Sequence, residues 1–335
     1  MMKSMSKNVY SVTNNFNQTL NKGTKQMPKT IKHNIDIHQE ITDAVVESLE
    51  AIREQYGKDH EGFAWDKPWI DTANGMPRNV DNKPYRGINV LLLLIQASKM
   101  GYGQNIWGTF KAWKAKGGKI IKGSKSTKIT FYKSYVAKDK ETEEDRTFFI
   151  LKTFSVFNIA QVEGVTSVRL SLQEDNQTLT NQVERDKLID SFVSGTNAIL
   201  KDGGNRAYYS PSDDFIGMPK LEQFKSTDGY YSTLLHELTH WTGAMKRCNR
   251  DLKNKFGSQA YAFEELVAEL GSMFLCNKFN ILGRDEEQMR NHITYLDSWI
   301  KRLKDDKKAI FQASTLAQKA FDFLEGLQEE EKKVA

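Results

Sequence analysis

The first regular pattern of hydrophobic and polar residues begins after residue 36. Apolar side chains recur three or four positions apart, at Ile41, Val45, Leu49 and Ile52. This spacing places them on one face, so the pattern predicts an amphipathic helix over 37–56. Residues 1–35 show no periodicity and are predicted to form a flexible basic tail.

The pattern then changes from loop to helix and from helix to strand. The segment 57–87 is rich in glycine, proline, asparagine and aspartate, which favours a loop. A buried helix is predicted to follow, capped by Asn89 and continuing through Ile95. Aromatic residues at helical spacing predict a short helix over 106–115; they are Trp107, Phe110 and Trp113. Two strand-like runs come next, 128–136 and 147–158, joined by an acidic turn from Asp139 to Asp145.

A second hydrophobic region follows a polar segment at 166–181, which we interpret as a linker. Its first predicted elements are a helix over 182–200 and a strand over 214–218, and four helices are predicted after them. A chain of 335 residues is long enough for two domains. We therefore predict an α+β fold with a tail at 1–35 and domains at 36–165 and 182–335.

The composition excludes membrane and secreted classes of protein. No apolar run approaches the roughly 18 residues that a membrane-spanning helix needs, and the polar N-terminus lacks the apolar core of a secretory signal. The two cysteines, Cys248 and Cys276, are too few for a disulfide framework. These features predict a cytoplasmic protein that makes no membrane contact.

Residues 236–240 read His-Glu-Leu-Thr-His, an HExxH motif. In a helix, His236 and His240 lie on one face and can reach a single cation, and Glu237 can accept a proton from a water beside it. Gly243 is predicted to end this helix in a left-handed conformation. The alternative is a solvated helix with two surface histidines.

A catalytic zinc ion takes three protein ligands and keeps one position open. Lys246 stands where one subclass of zinc peptidases has a third histidine, so the ligand must come from elsewhere. The predicted helix over 260–277 carries Glu265 and Glu269 on a face flanked by small residues. We therefore predict Glu265 as the third ligand of Zn²⁺, with Mn²⁺ or Co²⁺ as possible substitutes, and Glu269 as an acceptor that orients a ligand histidine. An ordinary exposed acidic face is the alternative, and Glu264 is predicted to lie well round the helix from this pair.

Two features near the motif have a possible role in binding a substrate. Residues 214–219 could form the edge strand of a sheet, since Pro219 would end its pairing, and an extended peptide could add to such an edge. A strand with a purely structural role is equally compatible with this sequence. Possible donors to a developing oxyanion are Tyr230, Tyr231 and Tyr261.

The N-terminal half contains a concentration of basic and aromatic residues. Residues 72–138 contain 13 Lys and Arg but one acidic residue, Asp81. Lysine and arginine neutralise phosphates and aromatic rings stack on bases, so the pattern favours single-stranded DNA. The candidate DNA-binding residues are Arg86, Trp107, Lys111, Lys114, Lys119, Lys122, Lys125 and Lys128. A solubilising surface over a core of aromatic residues is the alternative.

The chain resembles the ArdC-type antirestriction proteins. The motifs that carry the resemblance are AYYSPSDDFIGMP from Ala207, YYSTLLHELTHWTG from Tyr230, FGSQAYAFEELVAELGSMFL from Phe256 and, in the N-terminal half, YRGIN from Tyr85 and WGTF from Trp107. The resemblance implies an N-terminal domain that binds single-stranded DNA and a C-terminal zincin-like metallopeptidase domain with HExxH plus a glutamate. It also implies a protein of a plasmid, phage or other mobile element that protects incoming DNA from host restriction, often during conjugation.

Three hypotheses follow for the activity. The chain could be a DNA-tethered zinc peptidase that cleaves a protein partner, such as a component of a restriction system. It could instead be a DNA-binding shield with a structural or vestigial metal site, or a module associated with replication. An intact Glu237 favours the first hypothesis, because a purely structural site needs no general base.

Overall fold

The computed structural model describes residues 36–56, 75–138, 145–165, 182–252, 258–281 and 286–334. The predicted tail, the predicted linker and nearly all of the predicted acidic turn lie outside these described residues. The helices are α1 Ile37–Tyr56, α2 Ile88–Met100, α3 Phe110–Ala115, α4 Gln182–Ser194, α5 Thr227–Thr242, α6 Gln259–Lys278, α7 Glu286–Asp305 and α8 Ala309–Val334. The strands are β1 Arg78–Asn79, β2 Ile106–Thr109, β3 Lys119–Ile120, β4 Thr127–Lys138, β5 Asp145–Asn158, β6 Val162–Glu163, β7 Ile199–Asp202, β8 Tyr208–Ser210 and β9 Phe215–Met218.

A four-stranded sheet with the order β1-β2-β5-β4 forms the centre of the N-terminal half. The predicted strand pair is confirmed as the long antiparallel hairpin β4–β5, in which Phe131 faces Lys152 and Ile129 faces Phe154. Helix α2 packs on one face of the sheet, where Leu93 contacts a cluster that includes Trp107. The other face packs against α3 and the small β3–β6 sheet.

The predicted helix over 106–115 is wrong in its first half, because residues Ile106–Thr109 form a strand. Helix α3 begins only after Thr109, whose side chain caps it by accepting a hydrogen bond from the Ala112 backbone N–H. A Cβ atom on Gly108 would lie 2.6 Å from the side chain of Val80, so close packing of the sheet requires glycine there. Tertiary packing therefore overrides the helical spacing of the aromatic residues.

Asn89 does not cap α2 as predicted, because the helix begins at Ile88 and its N-cap is Gly87. The buried Asn89 amide instead donates to the carbonyl oxygen of Thr130 and accepts from the Thr130 backbone N–H, both at 2.8 Å. Strand β4 lies at the edge of its sheet. The amide therefore satisfies two backbone groups that a neighbouring strand would otherwise pair with.

The C-terminal half contains a three-stranded sheet with the order β7-β9-β8. The prediction that residues 214–219 form an edge strand is wrong, because β9 pairs with β7 in parallel on one side and with β8 in antiparallel on the other. The two flanking strands have only 4 and 3 residues, which is too short for a clear alternation in sequence. Helix α4 also ends at Ser194, earlier than predicted, because β7 begins at Ile199.

Residues 37–335 form one compact unit. One hydrophobic core cluster joins α1 and α2 to the helices α6, α7 and α8; its members include Ile41, Leu91, Phe274, Trp299 and Phe311. The Oγ1 hydroxyl of Thr42 also donates to the carbonyl oxygen of Lys307 at 2.8 Å. Elements of the two predicted domains therefore share a core. None of the described helices is long and apolar enough to cross a membrane.

Candidate metal centre

Helix α5 carries the HExxH motif and is buried on nearly all sides. Ser226 caps its N-terminus by accepting a hydrogen bond from the Gly229 backbone N–H. As predicted, one face packs into the core of the C-terminal half, through Leu234, Leu235, Leu238 and Trp241. The motif itself is buried as well, since His236 is 5% exposed and Glu237 is 9% exposed. The alternative of two surface histidines is therefore wrong.

Helix α6 approaches α5 closely, as its small residues predicted. A Cβ atom on Gly271 would lie 2.5 Å from the Thr239 Cγ2 atom, so a larger residue there would push the helices apart. One turn away, the Ser272 hydroxyl donates to the carbonyl oxygen of Ser232 at 3.3 Å. This close packing brings the glutamates of α6 to the histidines of α5.

His236, His240 and Glu265 form a buried cluster that could hold a metal ion. The Nε2 atoms of the two histidines are 3.2 Å apart. The Glu265 carboxylate lies 3.6 Å from His236 Nε2 through Oε2 and 3.5 Å from His240 Nε2 through Oε1. Four ligands at about 2.0–2.1 Å from zinc, in a tetrahedron, are about 3.3–3.4 Å apart. The three side chains therefore fit a small divalent cation in both chemistry and spacing.

The outer nitrogen of each histidine faces a second carboxylate. His240 Nδ1 lies 3.1 Å from Glu264 Oε1, and His236 Nδ1 lies 3.8 Å from Glu269 Oε2. The prediction that Glu264 lies away from the site is wrong. Adjacent helical residues are about 100° apart, but an imidazole has nitrogens on two sides. His240 therefore reaches Glu265 with one nitrogen and Glu264 with the other.

Arg250 was not among the predicted site residues, yet its buried side chain fixes Glu264. Its guanidinium donates to both Glu264 oxygens, at 3.0 Å from Nε and 2.9 Å from Nη2. It also donates to Thr242 Oγ1 at 2.8 Å and to the Thr239 carbonyl oxygen at 2.7 Å. Residue 250 follows the helix in a segment without periodicity, so the sequence gives no sign of this contact.

The absence of a side chain at Gly243 explains how Arg250 reaches this position. Gly243 has a φ of −70°, so the prediction of a left-handed cap is wrong. A Cβ atom there would lie 2.9 Å from the His240 carbonyl oxygen and 3.0 Å from Arg250 Nη2. The glycine is needed for the close approach of the guanidinium.

Opposing electrostatic effects act on these buried groups. Burial lowers the pKa of His240, but its hydrogen bonds to Glu264 and Glu265 outweigh burial and raise this pKa to about 10. Burial raises the pKa of Glu264, but hydrogen bonds from His240 and Arg250 keep it below its ordinary value. For His236, burial is the largest effect and the pKa is lowered. Burial also raises the pKa of Glu265, but hydrogen bonds from His236 and His240 hold it below its ordinary value. Glu264 and Glu265 are therefore ionised at neutral pH, as a metal ligand and a hydrogen-bond acceptor beside it must be.

The three candidate tyrosines have different surroundings. Burial, the charge of Glu265 and a hydrogen bond to that carboxylate raise the pKa of Tyr261. Tyr231 donates to Asp190 Oδ1 at 2.9 Å, and Tyr230 packs edge-on against Phe224. Tyr261 therefore contacts the metal cluster through Glu265.

Strands β8 and β9 are tied to the C-terminal end of α5 by one arginine. The Arg247 guanidinium lies 3.8 Å from the ring centroid of Trp241. It donates to Asp214 Oδ2 at 3.2 Å and to the Tyr209 hydroxyl at 3.0 Å. Asp214 has a φ of 53° in the turn between the two strands. This turn is therefore held beside the helix that carries the histidines.

The candidate DNA-binding residues separate into exposed and buried groups. Trp107 is fully buried between α2 and the sheet, so its prediction as a DNA contact is wrong. Arg86 forms an ion pair with Asp322, and Lys128 Nζ lies 2.6 Å from Glu40 Oε1. The remaining candidates have exposed side chains; they are Lys111, Lys114, Lys119, Lys122 and Lys125.

Two protein families match separate parts of the chain. Residues 35–157 match the N-terminal domain of anti-restriction factor ArdC. Residues 187–316 match a zincin-like metallopeptidase family. The first match includes most of the four-stranded sheet, and the second match includes the metal cluster.

Solved structures and the sequences of relatives show the same similarity. The metal-free antirestriction ArdC protein of the R388 plasmid is 34% identical, with a TM-score of 0.70, covering 88% of this chain and 98% of that chain. Its Mn(II)-bound form gives a TM-score of 0.67 at 34% identity, covering 87% and 98%. Protein y4eC of Sinorhizobium fredii is 32% identical over 302 residues, 88% of this chain and 92% of that protein. DNA primase TraC of Escherichia coli is 34% identical over 333 residues, which are 92% of this chain but 21% of the primase.

Proposed function

Because this chain belongs to the ArdC antirestriction family, with an ArdC N-terminal domain and a zincin-like metallopeptidase domain, we propose that it protects incoming DNA of a mobile element from host restriction. In this proposal it binds single-stranded DNA without sequence preference and hydrolyses peptide bonds at a metal centre. The proposed peptidase activity is supported mainly by the buried His236–His240–Glu265 cluster, with Glu237 on the same turn of helix.

Each side chain of the cluster has a specific role in the proposed reaction. His236, His240 and Glu265 would hold Zn²⁺, and Mn²⁺ is a plausible substitute because the R388 relative has a Mn(II)-bound structure. A cation held there supplies Lewis acidity to a peptide carbonyl and lowers the pKa of a water. Glu237 would accept the proton of that water. Glu264 and Glu269 would orient His240 and His236 through the outer ring nitrogens.

The proposed DNA binding depends on exposed basic side chains in the N-terminal half. Lys111 and Lys114 lie on α3, and Lys119 lies on β3. Lys122 and Lys125 follow in the turn toward β4, and all five side chains are exposed. Exposed lysines neutralise phosphates irrespective of base sequence, which suits a protein that must cover any incoming strand.

The similarity to DNA primase TraC favours a second candidate function. This chain resembles about a fifth of that protein, so it could be a module associated with replication, or a DNA-binding shield, in which the metal site is structural. A structural site needs its ligands but has no use for Glu237. The two candidates therefore differ in what a change of Glu237 alone would do.

The proposed peptidase can be tested with purified full-length protein and candidate restriction subunits. We expect cleavage of at least one subunit by the zinc-loaded protein, and none after removal of the metal with a chelator or with Glu237→Gln. Glu222→Gln is a matched control, because Glu222 lies outside the metal cluster. Cleavage that persists in Glu237→Gln would come from another protease, and intact subunits in every sample would favour the shield.

A further inference from the structure

The β4–β5 hairpin presents two phenylalanines side by side on one face of the sheet. Phe131 is 47% exposed and Phe154 is 45% exposed, and their ring centroids are 5.3 Å apart in an edge-to-face arrangement. Ile150, on the same face by its register, is 49% exposed. Three large apolar side chains on one face form a patch, whereas single exposed ones are common on any protein surface.

This patch continues a face that α2 covers only in part. Ile129 faces Phe154 across the hairpin and is buried, because it packs against Leu93 and Ala97 of α2. Two residue pairs further along the hairpin, and so on the same face, Phe131 faces the exposed Lys152. The rings therefore lie immediately beyond the helix, with a basic side chain between them and Ile150.

The charge of the two strands indicates which partner this patch fits. Among the hairpin side chains that the structure describes, the charged ones are Lys128, which pairs with Glu40 on the opposite face, and Lys152, which is exposed beside the two rings. A basic surface with exposed aromatic rings is complementary to a polyanion with accessible planar faces. Single-stranded DNA has such faces, whereas a duplex buries its bases in the stack. An apolar protein partner would not need the exposed lysine beside the rings.

We propose that Phe131 and Phe154 form a stacking platform for bases of single-stranded DNA, with Lys152 contacting the adjoining phosphate. This inference rests on the proposed DNA binding and gives it a location. The two phenylalanines take the role in DNA binding that the sequence predicted for Trp107, whose ring is fully buried. In this proposal the two rings stack on bases, whereas the lysines on α3 and β3 contact phosphates.

The test compares two double variants of the full-length protein that differ in ring character. Phe131→Tyr with Phe154→Tyr keeps both aromatic faces, whereas Phe131→Leu with Phe154→Leu keeps apolar bulk without them. Binding of fluorescein-labelled oligothymidylate is measured by anisotropy. We expect near wild-type affinity for the tyrosine pair. For the leucine pair we expect at least about a fivefold loss for each base that no longer stacks.

A control in the same hairpin separates stacking from loss of structure. Val136 is 65% exposed and lies on the opposite face by its register, so Val136→Ala should bind DNA as the wild type does. Lys152→Gln should lower the salt dependence of binding, since it removes a phosphate contact. Equal affinity of the leucine pair and the wild type would overturn the platform while leaving DNA binding intact. A wild-type chain that does not bind oligothymidylate would overturn the proposed DNA binding, and the platform with it.

Discussion

Glu264 Oε1 lies 3.1 Å from Nδ1 of His240, while Nε2 of the same ring faces Glu265 at 3.5 Å. Glu264 therefore fixes the ring through its outer nitrogen, and Glu265 lies beside the nitrogen that would face the metal. Arg250 holds the outer carboxylate through both of its oxygens. The chain Arg250–Glu264–His240 sets the orientation and tautomer of a candidate ligand.

We expect Glu264→Gln to weaken zinc binding by about 10- to 100-fold, because a neutral amide is a poorer acceptor for the His240 N–H. It also leaves the buried Arg250 without its counter-charge, which should lower the free energy of unfolding by about 3 kcal/mol. Competition with a chromogenic chelator measures the affinity, and urea denaturation measures the stability. Glu222→Gln is the matched control, since Glu222 lies outside the metal cluster. A larger loss of zinc affinity in the control would contradict this assignment.

The assignment of Glu265 as a ligand leads to a separate expectation. Removal of the side chain in Glu265→Ala, like His236→Ala, should abolish stoichiometric zinc because a two-ligand site binds the ion weakly. Glu269→Ala should keep about one zinc per chain. Elemental analysis of the dialysed proteins gives these ratios. Full zinc in Glu265→Ala together with loss in Glu269→Ala would reverse the two roles.

Residues with local, periodic signals could be predicted from the sequence, and residues fixed by tertiary contacts could not. The spacing of His236 and His240 predicts one helical face, and the structure brings Glu265 to that face. Arg250 contacts Glu264 across 14 positions without any pattern to show it. Trp107 has helical spacing to Trp113, yet it lies in a strand, because both rings fill cores on opposite faces of a sheet.

The ion pair of Asp214 with Arg247 leads to a pH-dependent stability. Hydrogen bonds from Arg247 are the largest effect on the pKa of Asp214, and they hold it well below 3.8. A lowered pKa means that the stabilisation is present above the unfolded value and is lost as the pH falls toward the folded one. Asp214→Asn should therefore lower the free energy of unfolding by about 1–2 kcal/mol at pH 7, and by progressively less as the pH falls below 3.8.

Asparagine suits this test because it tolerates the positive φ of residue 214. Urea denaturation at neutral and acidic pH gives the two differences. Asp213→Asn is the neighbouring control and should change stability little, because Asp213 is exposed and its partners are the nearby serines Ser210 and Ser212. A difference between Asp214→Asn and the wild type that stays constant with pH would show that the ion pair is not its cause.

The exposed lysines lead to an expectation for the salt dependence of DNA binding. Each phosphate contact with a single strand contributes about 0.7 to the slope of log affinity against log salt. Replacing Lys119, Lys122 and Lys125 together with glutamine should lower the slope by about 2 without unfolding the protein, because all three side chains are exposed. The full-length chain is used, since α1 and α2 share a core with α6–α8. An unchanged slope, or equal affinity for duplex DNA, would contradict this interpretation.

Glu237 separates a peptidase from a shield, because it lies between the two histidines without belonging to the metal cluster. Glu237→Gln should keep the metal, yet reduce hydrolysis by orders of magnitude, since the water loses its proton acceptor. Protection of incoming DNA is then measured as the efficiency of transfer into restricting cells. We expect this variant to keep protection, because exposed lysines and the phenylalanine pair are a sufficient physical cause for covering a strand. His236→Ala with His240→Ala is the control for a structural role of the metal. If Glu237→Gln lost protection while its metal content and DNA affinity stayed normal, cleavage of a host protein would be the protective act, and the N-terminal half would serve to bring the peptidase to the DNA.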